Sequence, residues 1–152
     1  MTEAEVTEVL ALAEAAAARD GVAPLSEHVL LHLRYEGPGD GLNRGRDVLV
    51  TRDGRIAGYG YLDPPGRQSQ LRSGELVVRP DYRRHGVGLE LVRALAAAAD
   101  GDPIRLWAHG DLPAAAMLAR AAGLERFRAL WQMRRPPAPA SRRRAGPRAP
   151  RA

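Results

Sequence analysis

Residues 74–91, GELVVRPDYRRHGVGLEL, decide the fold of this chain. They begin with a short apolar strand at 75–79, which turns at the Pro-Asp-Tyr of 80–82. A basic loop with two glycines follows at 83–88 and leads directly into a helix that extends through 94–99. Glycine allows a close approach of the backbone, and the first amides of a helix have no partners inside it. The stretch therefore predicts a strand, loop and helix that can hold an anionic group such as a pyrophosphate.

The spacing of the glycines indicates which kind of phosphate-binding loop this is. It is neither G-x-G-x-x-G nor a P-loop, and the chain contains no lysine. An Arg-x-x-Gly-x-Gly loop after an apolar strand and Val-x-Pro resembles the acetyl-coenzyme A loop of GNAT-type N-acetyltransferases. The alternative is a glycine-rich turn before an amphipathic helix. The residues that carry the resemblance are Val77, Val78, Pro80, Arg83, Gly86 and Gly88.

The resemblance implies which residues bind acetyl-CoA. The strand would offer main-chain groups to the pantetheine arm and the thioester, while its side chains serve the core; these residues are Leu76, Val77 and Val78. The pyrophosphate would lie on the loop, mostly on main-chain N–H groups; these residues are Arg83, Arg84, His85, Gly86, Val87, Gly88 and Leu89. The alternative for Arg83 is a solvated surface arginine.

Composition predicts one folded domain at 1–135 with a disordered Arg/Pro/Ala-rich tail at 136–152. The chain has 152 residues, of which 45% are hydrophobic, and no cysteine, which excludes disulfides, thiolate catalysis and cysteine-rich zinc sites.

Its net charge of +5 comes from residues 134–152, which hold seven arginines and no acid. Residues 1–133 carry 16 basic and 18 acidic groups, so nucleic-acid binding is not expected of the body. A tail that tethers the chain to nucleic acid or an acidic surface is a minor alternative.

The order of elements predicts a mixed α/β sheet covered by helices. A capping box at Thr2 and Glu5 starts the first helix, which should end at Asp20-Gly21, and Ser26 caps a second helix. Asp53-Gly54 predicts a hairpin between strands at 47–52 and 55–62. A strand at 104–108, a helix at 113–122 and a last strand at 126–134 complete the chain. This order matches the GNAT fold.

Transfer of an acetyl group to an amine requires a base for the amine proton, and two residues are candidates. Glu75 stands beside the ligand strand, and His109 follows the strand at 104–108. The alternatives are a solvated carboxylate and a turn histidine, and the catalytic residues stay unassigned. Many GNAT enzymes carry Asn-x-x-Ala-x-x-x-Tyr-x-x-x-Gly, whose tyrosine protonates the thiolate. Alignment on Gly123 places Ala119 at the tyrosine, so hydroxyl chemistry is absent there.

Further motifs resemble the N-terminal half of the mycothiol synthases, a family of tandem GNAT proteins. The match extends over about residues 5–136; its motifs are DGVAP with Glu27, Gly58-Tyr59, ELVV, RRHGVG, WAHG at 107–110 and QMRRP at 132–136. The resemblance implies acetyl transfer to the cysteinyl amine of 1D-myo-inositol 2-(L-cysteinylamino)-2-deoxy-glucopyranoside, with Glu27 contacting that substrate. The alternative for Glu27 is a carboxylate that interacts with the helix dipole.

The same resemblance predicts that a second GNAT domain is missing, so the chain is expected to be a truncated or frame-shifted product. The alternatives are a non-catalytic acetyl-CoA-binding module and a GNAT enzyme for another small-molecule or peptide amine. Without a signal peptide or a membrane-length apolar run, the chain is expected to be cytoplasmic. We expect a monomer that uses no metal and contacts no membrane.

Overall fold

The computed structural model describes residues 1–36, 45–66 and 71–130 of the chain. These residues contain four helices and four strands, which follow one another as the sequence predicts up to the helix that begins at residue 113. In chain order they are α1 (Glu3–Asp20), α2 (Glu27–Leu31), β1 (Arg46–Arg52), β2 (Arg55–Leu62), β3 (Arg72–Val78), α3 (Val87–Ala98), β4 (Ile104–Trp107) and α4 (Pro113–Ala121). A π-helical turn (His32–Glu36) extends α2, and 3₁₀ turns lie at Pro80–Tyr82 and His109–Asp111.

The caps of α1 are those that its sequence predicts. The Thr2 amide donates to Glu5 Oε2 at 2.6 Å and the Glu5 amide donates to Thr2 Oγ1 at 3.2 Å, which closes the capping box. The helix ends at Gly21, which takes the left-handed conformation with φ 71°. Ser26 caps α2 in the same manner, because its hydroxyl accepts from the Val29 amide at 3.4 Å.

The sheet has the strand order β1-β2-β3-β4. The first two pairings are antiparallel and the pairing of β3 with β4 is parallel. Asp53 and Gly54 form the predicted hairpin turn, with φ values of 51° and 73°. One strand, β3, therefore has an antiparallel neighbour on one side and a parallel neighbour on the other.

Helices cover both faces of the sheet, which confirms the predicted mixed α/β architecture. On one face α1 and α2 pack against β2 and β3, and the buried side chains there include Val9, Leu12, Val29, Tyr59, Tyr61 and Val77. On the other face α3 packs against β1 and β2, and the buried side chains there include Val50, Ala57, Val87 and Leu91. Burial of these apolar side chains is the main stabilising term.

Two strand boundaries differ from the prediction. The strand β3 begins at Arg72 rather than at Glu75, because Arg72 is buried with its guanidinium donating to the carbonyls of Asp63 and Ala98. Residues 124–130, which include the start of the predicted last strand, have no regular secondary structure. Phe127 is 77% exposed there and has no adjacent strand in the described part of the chain. The remainder of that predicted strand and the whole predicted tail lie outside the described residues, as does most of the predicted loop after residue 36.

Within the described ranges, the helices are all too short or too polar to cross a lipid bilayer.

Gly58 provides a test of the contact between β2 and α3. A Cβ atom at this position would lie 2.8 Å from Leu91 Cδ1 and 2.9 Å from Val87 Cγ1. We expect Gly58→Ala to lower the free energy of unfolding by about 1–3 kcal/mol through overpacking, measured by urea denaturation. Thr51→Ala, at an exposed position of β1, is the control. Equal midpoints for the two variants would contradict this packing.

Candidate functional site

The site begins where β3 and β4 separate. Their parallel pairing ends at Glu75 and Trp107, whereas β3 remains paired with β2 as far as Val78. The Arg79 amide donates to the Ala57 carbonyl at 2.9 Å. Because polar groups alternate along an antiparallel ladder, the main chain of Val78 points away from β2 and into the opening. Among the described residues, the predicted thioester-binding strand therefore has an edge with no neighbouring strand beyond Glu75.

The side chains of this strand belong to the core, as expected. Val77 packs on the α1 side of the sheet, and Leu76 and Val78 pack against the cluster under α3. A ligand at the opening would meet the backbone of these residues.

The loop after β3 presents a row of main-chain donors. Arg84 and Gly86 both have positive φ, 66° and 81°, so two left-handed residues flank His85. The first helical amide that donates inside the chain is that of Glu90, to the Gly86 carbonyl at 3.0 Å. No described residue accepts a hydrogen bond from the six preceding amides, those of Arg84, His85, Gly86, Val87, Gly88 and Leu89. Free amides at a helix N-terminus with its positive dipole end form an anion site.

The two glycines of the loop have different functions. Gly86 has open space around a hypothetical Cβ, so its positive φ is what requires glycine. A Cβ at Gly88 would lie 3.1 Å from Leu118 Cδ2, so its requirement is close packing of α3 against α4. Arg84 also reaches α4, with Nη1 at 3.7 Å from the Met117 sulfur.

Arg83 occupies a different position from the other predicted pyrophosphate residues. Its Nη1 and Nη2 donate to the two carboxylate oxygens of Asp20, each at 2.7 Å, and its Nε donates to the Val78 carbonyl at 3.3 Å. Its amide donates to Pro80. The hydrogen bonds from Arg83 hold the pKa of Asp20 below its usual range, and Asp20 raises the pKa of Arg83. In this structure Arg83 connects the loop to the end of α1.

The two candidate bases, Glu75 and His109, lie beside each other. His109 Nε2 is 3.5 Å from Glu75 Oε2, and the same oxygen accepts from the Ser26 amide at 2.7 Å. Burial acts to raise the pKa of Glu75, but the interactions with His109 and Ser26 outweigh it and hold the pKa below the usual value. Glu75 in turn raises the pKa of His109. Glu75 and His109 therefore interact electrostatically, and each stabilises the charged form of the other.

Glu75 also lines a cavity between α2, β3 and β4, which we call the α2–β3 cavity. It has a volume of about 230 Å³. Its polar and aromatic lining includes Ser26, His28, Tyr61, Asp63, Glu75 and Trp107. Sequence analysis did not identify His28 and Asp63, because neither lies in a motif and their 3.1 Å contact joins residues 35 positions apart.

The predicted substrate residue Glu27 is exposed in the first turn of α2. Its neighbours Ser26 and His28 line the α2–β3 cavity, whereas Glu27 is not part of the lining. Ala119 lies on α4, next to the Leu118 that packs on Gly88, and it provides no hydroxyl at the loop. No cluster of potential metal ligands occurs among residues 1–36, 45–66 and 71–130.

Comparison with known proteins gives a consistent result. The family model described as an acetyltransferase (GNAT) domain matches residues 44–124. A mycothiol acetyltransferase of Thermomonospora curvata is 52% identical over 136 residues, which is 90% of this chain and 43% of the relative. One of Thermobispora bispora is 55% identical over 131 residues, 84% of this chain and 40% of the relative. The chain thus spans less than half the length of these curated relatives.

Solved structures support the fold alone. The aminoglycoside N-acetyltransferase AAC(6')-Iy in complex with CoA superimposes with a TM-score of 0.62 at 14% identity. The match covers 89% of this chain and 91% of that one.

The pair of Arg83 and Asp20 predicts a pH-dependent stability. Because the folded pKa of Asp20 is depressed, the pair contributes stability above the ordinary pKa of 3.8, and this contribution is lost as the pH falls through the folded pKa. We expect Asp20→Asn to lower the free energy of unfolding by about 2 kcal/mol at pH 7. The difference from the parent should shrink as the pH falls below 3.8 and through the folded pKa of Asp20. Chemical denaturation at several pH values measures it, and a difference that stays constant across this range would exclude the ion pair as its source.

Proposed function

Because the chain belongs to the GNAT acetyltransferase family, we propose that it is an acetyl-CoA-dependent N-acetyltransferase of the mycothiol acetyltransferase type. The proposed acceptor is a small-molecule primary amine. Similarity to the relatives of that name favours the cysteinyl amine of the cysteinyl-glucosaminyl-inositol named above. The chain covers 43% and 40% of the length of those two relatives.

The observation that carries the proposal is the row of six amides at residues 84–89 with no acceptor among the described residues. It lies at the end of a strand whose edge is open. A pyrophosphate on the amides would direct the pantetheine arm along the main chain of Val78. The thioester carbonyl would then lie at the free strand edge, where an N–H group can stabilise negative charge.

In the reaction, the amine nitrogen forms a bond to the thioester carbon and the carbon–sulfur bond breaks. The amine loses one proton and the thiolate gains one, so the products are an amide and free coenzyme A. The described residues supply binding, orientation and main-chain donors for this reaction. Both proton transfers would pass through water, since Glu75 and His109 contact each other and Ala119 carries no donor.

A second candidate function is a non-catalytic acetyl-CoA-binding module. The absence of a hydroxyl at Ala119 and the mutual pairing of the two candidate bases favour it. Both functions use the same amides, and they differ only in whether the chain alone turns over an amine.

The first test distinguishes an effect of the loop on CoA binding from an effect of reduced protein stability. Gly86 and Gly54 both have positive φ and open space at Cβ, so Gly86→Ala and Gly54→Ala should lose similar stability. Only Gly86→Ala distorts the amide row, so we expect its Kd for CoA to rise at least about tenfold, equal to about 1.4 kcal/mol. Isothermal titration calorimetry on the two variants measures this. Equal CoA affinity in both variants would overturn the proposed seat of the pyrophosphate.

The second test asks whether the missing proton donor limits turnover. Ala119→Tyr places a phenol on α4 at the position where related enzymes carry one. If the chain is an enzyme limited at this point, release of free thiol with a primary amine should increase by about tenfold or more over the parent. CoA affinity should stay unchanged, because the amide row contains no part of α4. Absence of thiol release by both proteins, with normal CoA binding, would favour the binding module instead.

A further inference from the structure

The α2–β3 cavity contains a buried carboxylate with one free oxygen. Glu75 is 8% exposed, and its Oε2 accepts from the Ser26 amide and faces His109. Its Oε1 accepts no hydrogen bond from the described residues, and it retains access to solvent, unlike His109 Nε2. An ionised carboxylate this deeply buried needs a partner for each oxygen. The free oxygen therefore indicates a hydrogen-bond donor that enters the cavity from outside.

The other residues that line the cavity also favour a ligand that donates hydrogen bonds. Asp63 brings a second carboxylate, whose Oδ1 is 3.1 Å from His28 Nε2. The aromatic ring of Trp107 forms part of the wall, with Arg105 stacked at 5.1 Å and hydrogen-bonded to Ser73. No arginine lines the cavity among the described residues, and the one basic group that does, His28, is already beside Asp63. His109 lies beside Glu75 Oε2 and outside the lining, so the charge that faces the cavity comes from Glu75 Oε1 and Asp63, which repel anions and attract cations.

The volume of the α2–β3 cavity limits the size of the group that it can bind. About 230 Å³ is far more than the roughly 10–15 Å³ that one water needs, and less than the roughly 300–1,000 Å³ typical of pockets for whole drug-sized ligands. The cavity therefore takes the amine-bearing end of a small molecule and leaves the rest outside, near the exposed Glu27.

We propose that the α2–β3 cavity binds the acceptor as a primary ammonium ion, held between Glu75 Oε1 and Asp63. This assignment rests on the proposed function, since it gives the acceptor of that reaction its charge and its place. The bound ammonium ion would release one proton to water before its nitrogen attacks the thioester, in addition to the proton that the amine loses on acylation. Glu75 acts here as a binding group, because the Ser26 amide and His109 keep its carboxylate ionised. Neutral analogues of the same shape should bind weakly, and anionic ones should not bind.

The test uses the full chain, with glucosamine as the cationic probe and glucose as its neutral match. NMR titration should give a Kd for glucosamine at least tenfold lower than that for glucose. Asp63→Asn should weaken glucosamine binding about threefold to tenfold, because Asp63 is partly exposed, and Glu75→Gln by more than tenfold. Glu14→Gln, which removes a carboxylate on the exposed face of α1, is the matched control and should bind as the parent does.

Parallel titration with CoA separates this proposal from the proposed function. Normal CoA binding with equal affinity for glucosamine and glucose would overturn the ammonium site and leave the proposed function standing. Glucosamine binding that depends on Asp63, in a protein that does not bind CoA, would support the ammonium site and overturn the proposed function. If Glu14→Gln lost as much affinity for glucosamine as Asp63→Asn, the effect would come from the net charge of the protein, and the ammonium site would be overturned. If circular dichroism shows Glu75→Gln unfolded, Asp63→Asn decides, because its side chain lies at the surface.

Discussion

The separation of β3 from β4 is the constraint on which the rest of the site depends. After Trp107 the chain leaves the sheet at a turn where Gly110 has φ 80° and lies directly against Val22. A side chain at that glycine would displace the loop after α1, so the turn is fixed in place. Because β4 stops there and β3 continues to Val78, one edge of β3 has no neighbouring strand among the described residues, and the Val78 carbonyl accepts instead from Arg83 Nε. Unpaired backbone at such a position needs a ligand or water.

Three arginines close to the end of β3 have separate functions that follow from their partners. Arg79 is buried and donates to Glu8 and to the Ile56 carbonyl, which joins α1 to the sheet. Arg83 is paired with Asp20 and sets the path by which the loop leaves β3. Arg84 alone points outward, toward α4. Their acidic partners offset the cost of desolvating the Arg79 and Arg83 charges. These ion pairs hold the loop that carries the amides against α1 before any ligand binds.

Local signals in the sequence predicted most of the fold. The capping box at Thr2, the turn at Gly54 and the strand, loop and helix around Gly86 each depend on residues within a few positions, so they could be predicted directly. The partners of Arg83 and Glu75 could not, because Asp20 and His109 are distant in sequence and come close only through the packing of α1 and β4. Glu75 and His109 were predicted as alternatives for one function, and the structure places them together, which weakens each as a base. The last strand was predicted from apolar alternation alone, and its described part, residues 126–130, has no neighbouring strand among the described residues to accept its hydrogen bonds.

The same geometry explains how binding and chemistry can be separate properties of this domain. A pyrophosphate seat made of main-chain amides depends on the shape of the loop, which Gly86 and the Arg83 anchor determine, and on no side chain of α4. Proton transfer depends on side chains, and at those positions the chain has Ala119 and a carboxylate already paired with His109. Since an enzyme accelerates a reaction only through interactions that strengthen in the transition state, a site can keep its ground-state affinity for a thioester while it lacks proton donors and acceptors. Under the proposed function, the residues of this chain that create affinity and those that would create rate are therefore distinct sets.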